Sequence, residues 1–180
     1  NGTAADPLAA LAIPPVSPTM PERQVDVLVV GAGPAGLSAA LAARRHGVSV
    51  TVLDERSLSG GQYYKQLAGG AAPPADRQGR AGARLIEAAR AAGVELIQDA
   101  HLFGAFAADD LVALIEGTAH QLRPKRLILA TGAYERPTPF PGWTLPGVMT
   151  TGAAQTLERA YTVAPGRRVV IAGNGPLNFQ

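Results

Sequence analysis

The feature that most constrains this chain is a β-branched run that ends in three spaced glycines. Val25, Val27, Leu28, Val29 and Val30 read as a strand buried on both faces, and Gly31, Gly33 and Gly36 follow it as G-x-G-x-x-G. Pro34 suits the first position of a helix. Ala35 to Arg45 favour its continuation, Arg44, Arg45 and His46 suit the negative end of its dipole, and Gly47 caps it. Val48, Val50, Val52 and Leu53 then form a second strand, which ends at Asp54 and Glu55. Strand, helix and strand fit within about the 30 residues of one crossover unit. In such a turn the first glycine makes the tight bend, the second lets backbone approach a pyrophosphate, and the third lets helix and strand pack closely. The helix N-terminus supplies the attracting dipole. Asp54 stands 23 positions after Gly31 (54 − 31), near the roughly 20 expected of an acid that accepts hydrogen bonds from ribose hydroxyls. The ligand class these residues specify is an adenine dinucleotide, and an acid at this position disfavours a 2′-phosphate.

The remainder of the chain is consistent with one α/β domain and little more. At 180 residues it can bury one good core. A net charge of +2 with scattered basic residues gives no electrostatic footprint for nucleic acid. The absence of cysteine excludes a disulfide framework, a thiolate metal site and a redox dithiol within these residues, and no metal site is expected. With no cysteine a cytoplasmic location is compatible, and the early apolar stretch Leu8 to Val16, cut by Pro14 and Pro15, is too short to span a bilayer. Residues 1–22 lack periodicity and read as a linker or leader.

After the crossover unit, the loop Arg56 to Asp76 carries Gly60-Gly61-Gln62-Tyr63-Tyr64-Lys65. Helical spacing follows over Arg80 to Ala92. Short strands are predicted at Val94 to Ile97, Leu102 to Phe106, Leu111 to Ile115 and Leu127 to Ala130, the middle two as a hairpin, with Gly117 and Pro124 as punctuation. A helix over residues 152–161 and a buried strand at Val169 to Ala172 complete the pattern.

Several further runs are candidates for chemistry. Leu127 to Ala130 ends in Thr131-Gly132-Ala133, small residues suited to a strand end that passes close to a cofactor. Gly61 and Gln62 offer backbone amides and a side-chain amide, fit for a ring edge or for a plain turn. Tyr63, Tyr64 and Lys65 either line a cavity or anchor the loop by packing. Phe140 and Trp143, set among prolines, read as a local apolar cluster. Gly173-Asn174-Gly175-Pro176-Leu177-Asn178 starts a second glycine turn, but Asn178 stands where the third small residue belongs. That turn either binds a nicotinamide cofactor in altered form or keeps the fold without it. His46, His101 and His120 show no ligand or triad pattern, and no residue can be given a general-base role.

Taken together, Val29 to Gly36, Leu129 to Ala133 and Val170 to Pro176 resemble the two-dinucleotide-binding flavoprotein oxidoreductases. Asp54-Glu55 with Gly60 to Tyr64, and Gly132-Ala133-Tyr134-Glu135-Arg136-Pro137 with Pro141 to Val148, are similar to one branch: the large flavoprotein subunits of opine oxidase, hydroxyproline dehydrogenase and hydrogen cyanide synthase, with a like region in sarcosine oxidase. The resemblance implies an incomplete Rossmann-like FAD-binding domain of parallel sheet and a small antiparallel hairpin layer over residues 23–165. It places the start of a second Rossmann-like domain at 166–180. It implies FAD held at Gly31, Gly33, Pro34, Ala35 and Gly36, with adenine meeting the backbone at Leu102. Asp54 or Glu55 would bind ribose, Gly61 and Gln62 would approach the flavin, and Thr131 and Gly132 would close over the cofactor. NAD(P) or another adenine nucleotide is the expected ligand of any second site. The activity implied is oxidation of an amine or amino acid at its C–N bond within a hetero-oligomer. The alternatives are an NAD(P)H-dependent flavin reductase on a non-thiol acceptor and a non-catalytic nucleotide-holding subunit. Thioredoxin-reductase members carry a cysteine pair where this chain has Met149 to Ala153, which disfavours dithiol chemistry. The resemblance also implies a fragment, with part of the site beyond Gln180.

Overall fold

The computed structural model of the protein describes residues 20–69, 76–173, 175 and 178. A six-stranded sheet of order β3-β2-β1-β6-β5-β4 organises them. Its parallel part comes from β1 (Glu22–Val30), α1 (Pro34–Arg44), β2 (Val50–Leu53), α2 (Arg77–Ala91) and β3 (Glu95–Ile97). An antiparallel meander of β4 (His101–Ala107), β5 (Asp110–Ile115) and β6 (Thr118–Leu129) completes it, and α3 (Thr151–Tyr161) follows.

The alternating side chains of β1 divide the core in two. Val27 and Val29 pack with Leu37 and Ala40 of α1 and Ile86 and Ala89 of α2. Leu28 and Leu53 instead pack with Leu111, Ala113, Ile115 and Leu122, so the meander covers the face that the helices leave open. Leu28, Leu37 and Leu53 are fully buried, each contributing about 2–3 kcal/mol by removal from water. The predicted hairpin is present as β4 and β5, and it is hydrogen-bonded to the parallel strands through β6.

Element limits depart from the sequence reading where tertiary pairing outweighs local signals. β6 begins at Thr118 rather than Leu127, because it pairs with β5 from Thr118 to Leu122 and with β1 from Gln121 to Leu129. Pro124, read as a break, lies inside it. The β5 ladder stops at Leu122, so β6 is paired on one side only at Pro124, a position where a missing N–H is tolerated. The same pairing extends β1 back to Glu22, beyond the expected Val25. α2 starts earlier than Arg80 because the Asp76 side chain caps the Gly79 N–H at 2.5 Å.

Two local expectations fail. Val169 to Ala172 form no strand, and Val170 is 95% exposed. A buried parallel strand needs neighbours to take its hydrogen bonds, and among the described residues none lies beside this run. Phe140 and Trp143 are also exposed, because the proline-punctuated stretch lies outside both core clusters. The expected leader falls largely outside the described residues, as do Asn174, Pro176 and Leu177 of the second glycine turn.

Candidate dinucleotide site

The glycine turn sits at the carboxyl end of β1, between the ends of β2 and β6. Gly31 N–H donates to the Leu53 carbonyl at 2.7 Å, and Ala130 N–H to the Val30 carbonyl at 2.8 Å. Gly31 has φ +106°, and a Cβ there would be driven into the Ala130 carbonyl. Gly36 is required for a similar reason, since its Cβ would strike the Gly31 carbonyl oxygen. The fold itself demands both residues.

Gly33 is different. Its φ is −77°, open to any residue, and the nearest atom to an added Cβ is the Gly61 Cα at 3.9 Å. A Cβ there would enter open space, touching nothing closer than ordinary van der Waals distance. That space is a cavity of about 680 Å³. Gly33 is also the N-cap of α1, and the helix has neither a side-chain cap nor an acid in its first turn. The positive end of α1 therefore faces the cavity uncompensated. Unneeded emptiness at Gly33 beside an open helix N-terminus fits a pyrophosphate.

All the site residues read from the sequence except Gly36 line this cavity. Gly31, Gly33, Pro34 and Ala35 form its floor, and Asp54 and Glu55 lie at the end of β2. Gly61 and Gln62 come from the loop after β2, Leu102 from β4, and Thr131 and Gly132 from the end of β6. Gly36 packs under the turn instead.

The two acids are not equivalent. Asp54 is buried, and its Oδ2 accepts the Ala32 N–H at 2.5 Å while Oδ1 accepts the Arg56 N–H at 2.9 Å. It braces the turn from beneath. Glu55 is exposed, and one of its oxygens accepts a hydrogen bond from the Tyr134 hydroxyl. That bond to a carboxylate, followed by desolvation, holds the Tyr134 phenol above its ordinary pKa.

The tyrosine-lysine run divides between roles. Tyr63 lines the cavity, whereas Tyr64 packs against Gly82 of α2 and lies edge-on to Tyr63 at 5.0 Å between ring centres. Lys65 turns to α3, where its ammonium donates to the Thr156 hydroxyl. Burial first, then the charges of Arg56 and Arg159, lower the Lys65 pKa. Arg56, His101 and Tyr134 also line the cavity, unforeseen from motif spacing. The available signal was positional, since each adjoins a residue already assigned to a strand end. Among the described residues, no group of three or more His, Cys, Asp or Glu is placed to hold a metal.

A mixed sheet whose parallel strands carry a glycine turn at the end of β1, an acid at the end of β2 and a cavity over both defines a Rossmann-type nucleotide-binding fold. More particularly, the chain belongs to the pyridine nucleotide-disulphide oxidoreductase family, whose model matches residues 25–178, and so to the flavin-dependent oxidoreductases. It is 40% identical over 165 residues to an opine oxidase subunit of Agrobacterium tumefaciens (strain Ach5), covering 86% of this chain and 33% of that one. The sarcosine oxidase alpha subunit of Corynebacterium sp. (strain P-1) is 36% identical over 162 residues, covering 82% and 17%. The chain thus spans a third or less of these relatives' lengths. In fold it is similar to L-proline dehydrogenase from P. horikoshii, with TM-score 0.68 and 24% identity, over 82% of this chain and 31% of that one. No helix among the described residues is long and apolar enough to cross a membrane.

Proposed function

We propose that the cavity holds FAD and that the protein is a subunit of a heteromeric oxidoreductase acting on an amine or amino acid. The carrying observation is Gly33, where a side chain is excluded by nothing in the protein yet would occupy the cavity beside the helix N-terminus. In this reading Gly31, Gly33, Pro34, Ala35 and Gly36 form the pyrophosphate cradle. The backbone at Leu102 meets adenine, Glu55 accepts from ribose, and Gly61, Gln62, Thr131 and Gly132 adjoin the rest of the cofactor. Asp54 serves by holding the turn. Residues 23–165 form the N-terminal part of the FAD domain, and 166–180 begin a second nucleotide domain.

The names of the opine and sarcosine oxidase relatives favour a C–N donor, and both names denote subunits. FAD would accept a hydride from the carbon next to the donor nitrogen. This chain's residues bind and orient the cofactor; none is assigned a proton-transfer role.

The test is anaerobic titration of the purified protein, with the subunits that accompany it, by amino acids, opines and NADH while flavin absorbance is followed. Bleaching by an amine donor is expected. Bleaching by NADH alone would point to a flavin reductase, and bound FAD that no donor reduces would point to a nucleotide-holding subunit. Protein without any flavin would overturn the cofactor assignment.

A further inference from the structure

We propose that Tyr134 and Glu55 form a latch that closes over the adenosine half of the bound dinucleotide and sets how slowly it leaves. The inference rests on the FAD reading and goes beyond it by giving Tyr134 a positioning role. In the sheet, β1 lies between β2 and β6, and the glycine turn rises from the end of β1. Glu55 follows the end of β2, and Tyr134 follows the end of β6. Their hydrogen bond therefore spans the strand that carries the turn, joining two walls of the same cavity.

Nothing in the core explains this tyrosine. It is 72% exposed, and it belongs to neither apolar cluster. Its phenol reaches a residue 79 positions away in sequence. The next residue, Glu135, anchors the same stretch at its other side by accepting the Gly152 N–H at 2.8 Å, at the start of α3. The stretch is thus a strap pinned at two points, by the Tyr134 hydroxyl on Glu55 at the cavity and by the Glu135 carboxylate on the Gly152 N–H of α3.

Glu55 can hold the latch and a ligand together. A carboxylate offers about four acceptor sites over its two oxygens, and the Tyr134 bond takes one. The remaining sites suit the donors of a ribose diol, while the negative charge opposes a 2′-phosphate. Binding first requires the strap to open. Once ribose is seated, the phenol fixes the Glu55 carboxylate and blocks the way out.

The test compares FAD release from the wild-type protein, with its accompanying subunits, and from Tyr134→Phe and Glu55→Gln variants. Release is followed by the rise in flavin fluorescence on large dilution into flavin-free buffer. Tyr134→Phe keeps the ring and removes only the hydroxyl. It should speed release on the order of 10-fold, as loss of a hydrogen bond to a charged acceptor does, with melting of the cofactor-free protein unchanged. Glu55→Gln keeps an acceptor and should lie between wild type and Tyr134→Phe for release, but should weaken the rejection of 2′-phosphorylated ADP as a competitor. Wild-type release should also accelerate at high alkaline pH as the phenol ionises, a limb absent from Tyr134→Phe. Wild type that retains FAD while Tyr134→Phe releases it at the same rate would overturn the latch alone. Wild type that carries no FAD would overturn the cofactor reading and the latch with it.

Discussion

The floor and the roof of the cavity are built on opposite principles. The floor, Gly31 to Gly36, is fixed by backbone: carbonyls lie where the Cβ atoms of Gly31 and Gly36 would stand, and the buried Asp54 carboxylate ties the turn to β2. The roof, the stretch after Thr131, is largely exposed and is tied down by side chains, Tyr134 on Glu55 and Glu135 on Gly152. At Gly31 and Gly36 the backbone-built floor tolerates almost no change, whereas a side-chain-built roof can open and close without unfolding anything. Binding geometry resides in the first and exchange in the second.

Substitutions at Gly31, Gly36 or Asp54 should therefore cost stability first. Gly31→Ala combines a strained positive φ with a clash on the Ala130 carbonyl, and should destabilise by about 3–5 kcal/mol. A fall in Tm of roughly 10 °C or more is expected for a chain of this size, or failure to accumulate folded protein. Asp54→Ala leaves the Ala32 and Arg56 N–H groups without their acceptor and should cost about 2–4 kcal/mol, read by denaturant melting. If Asp54 were instead chiefly a ribose ligand, cofactor affinity would fall while the melting of the empty protein held. In the roof, Gly152→Ala would press a methyl against the Glu135 carboxylate, a movable side chain. Less than about 1 kcal/mol is expected, with faster flavin exchange as the strap loosens.

The smallest effect lies away from both. The Lys125 ammonium at 2.7 Å and the Ser49 donors hold the Asp26 carboxyl well below its ordinary range. A carboxyl lowered in the folded state stabilises above its unfolded pKa, about 3.9, and loses that contribution as pH falls through the folded value. Asp26→Asn should lower Tm slightly at pH 7, and the gap from wild type should narrow progressively as pH falls below about 4.

The contrast also explains what could be read from the sequence. Sterically forced glycines and alternating β-branched residues leave local marks, so β1, α1, β2 and the whole floor were legible. β6 was not, because its first nine residues owe their strand form to pairing with β5 and β1, and Pro124 carries the opposite local signal. Asp54 was found by spacing, whereas its bonds to the Ala32 and Arg56 N–H groups left no mark in the sequence. The pairing of Tyr134 with Glu55 left no mark, since a contact 79 positions distant leaves no period in the chain. Val169 to Ala172 erred in the other direction: a strand-like composition finds no partner among the described residues.

Gly33→Val tests most directly whether the cavity at the glycine turn exists for a dinucleotide and not for packing. The two quantities to measure are thermal melting of the cofactor-free protein and bound FAD per chain. The nearest atom to the new Cβ stands 3.9 Å away, so melting should change by less than about 1 kcal/mol equivalent while FAD retention is lost. A variant that keeps its full complement of FAD would contradict the account, and so would one whose flavin loss is matched by collapse of the empty fold.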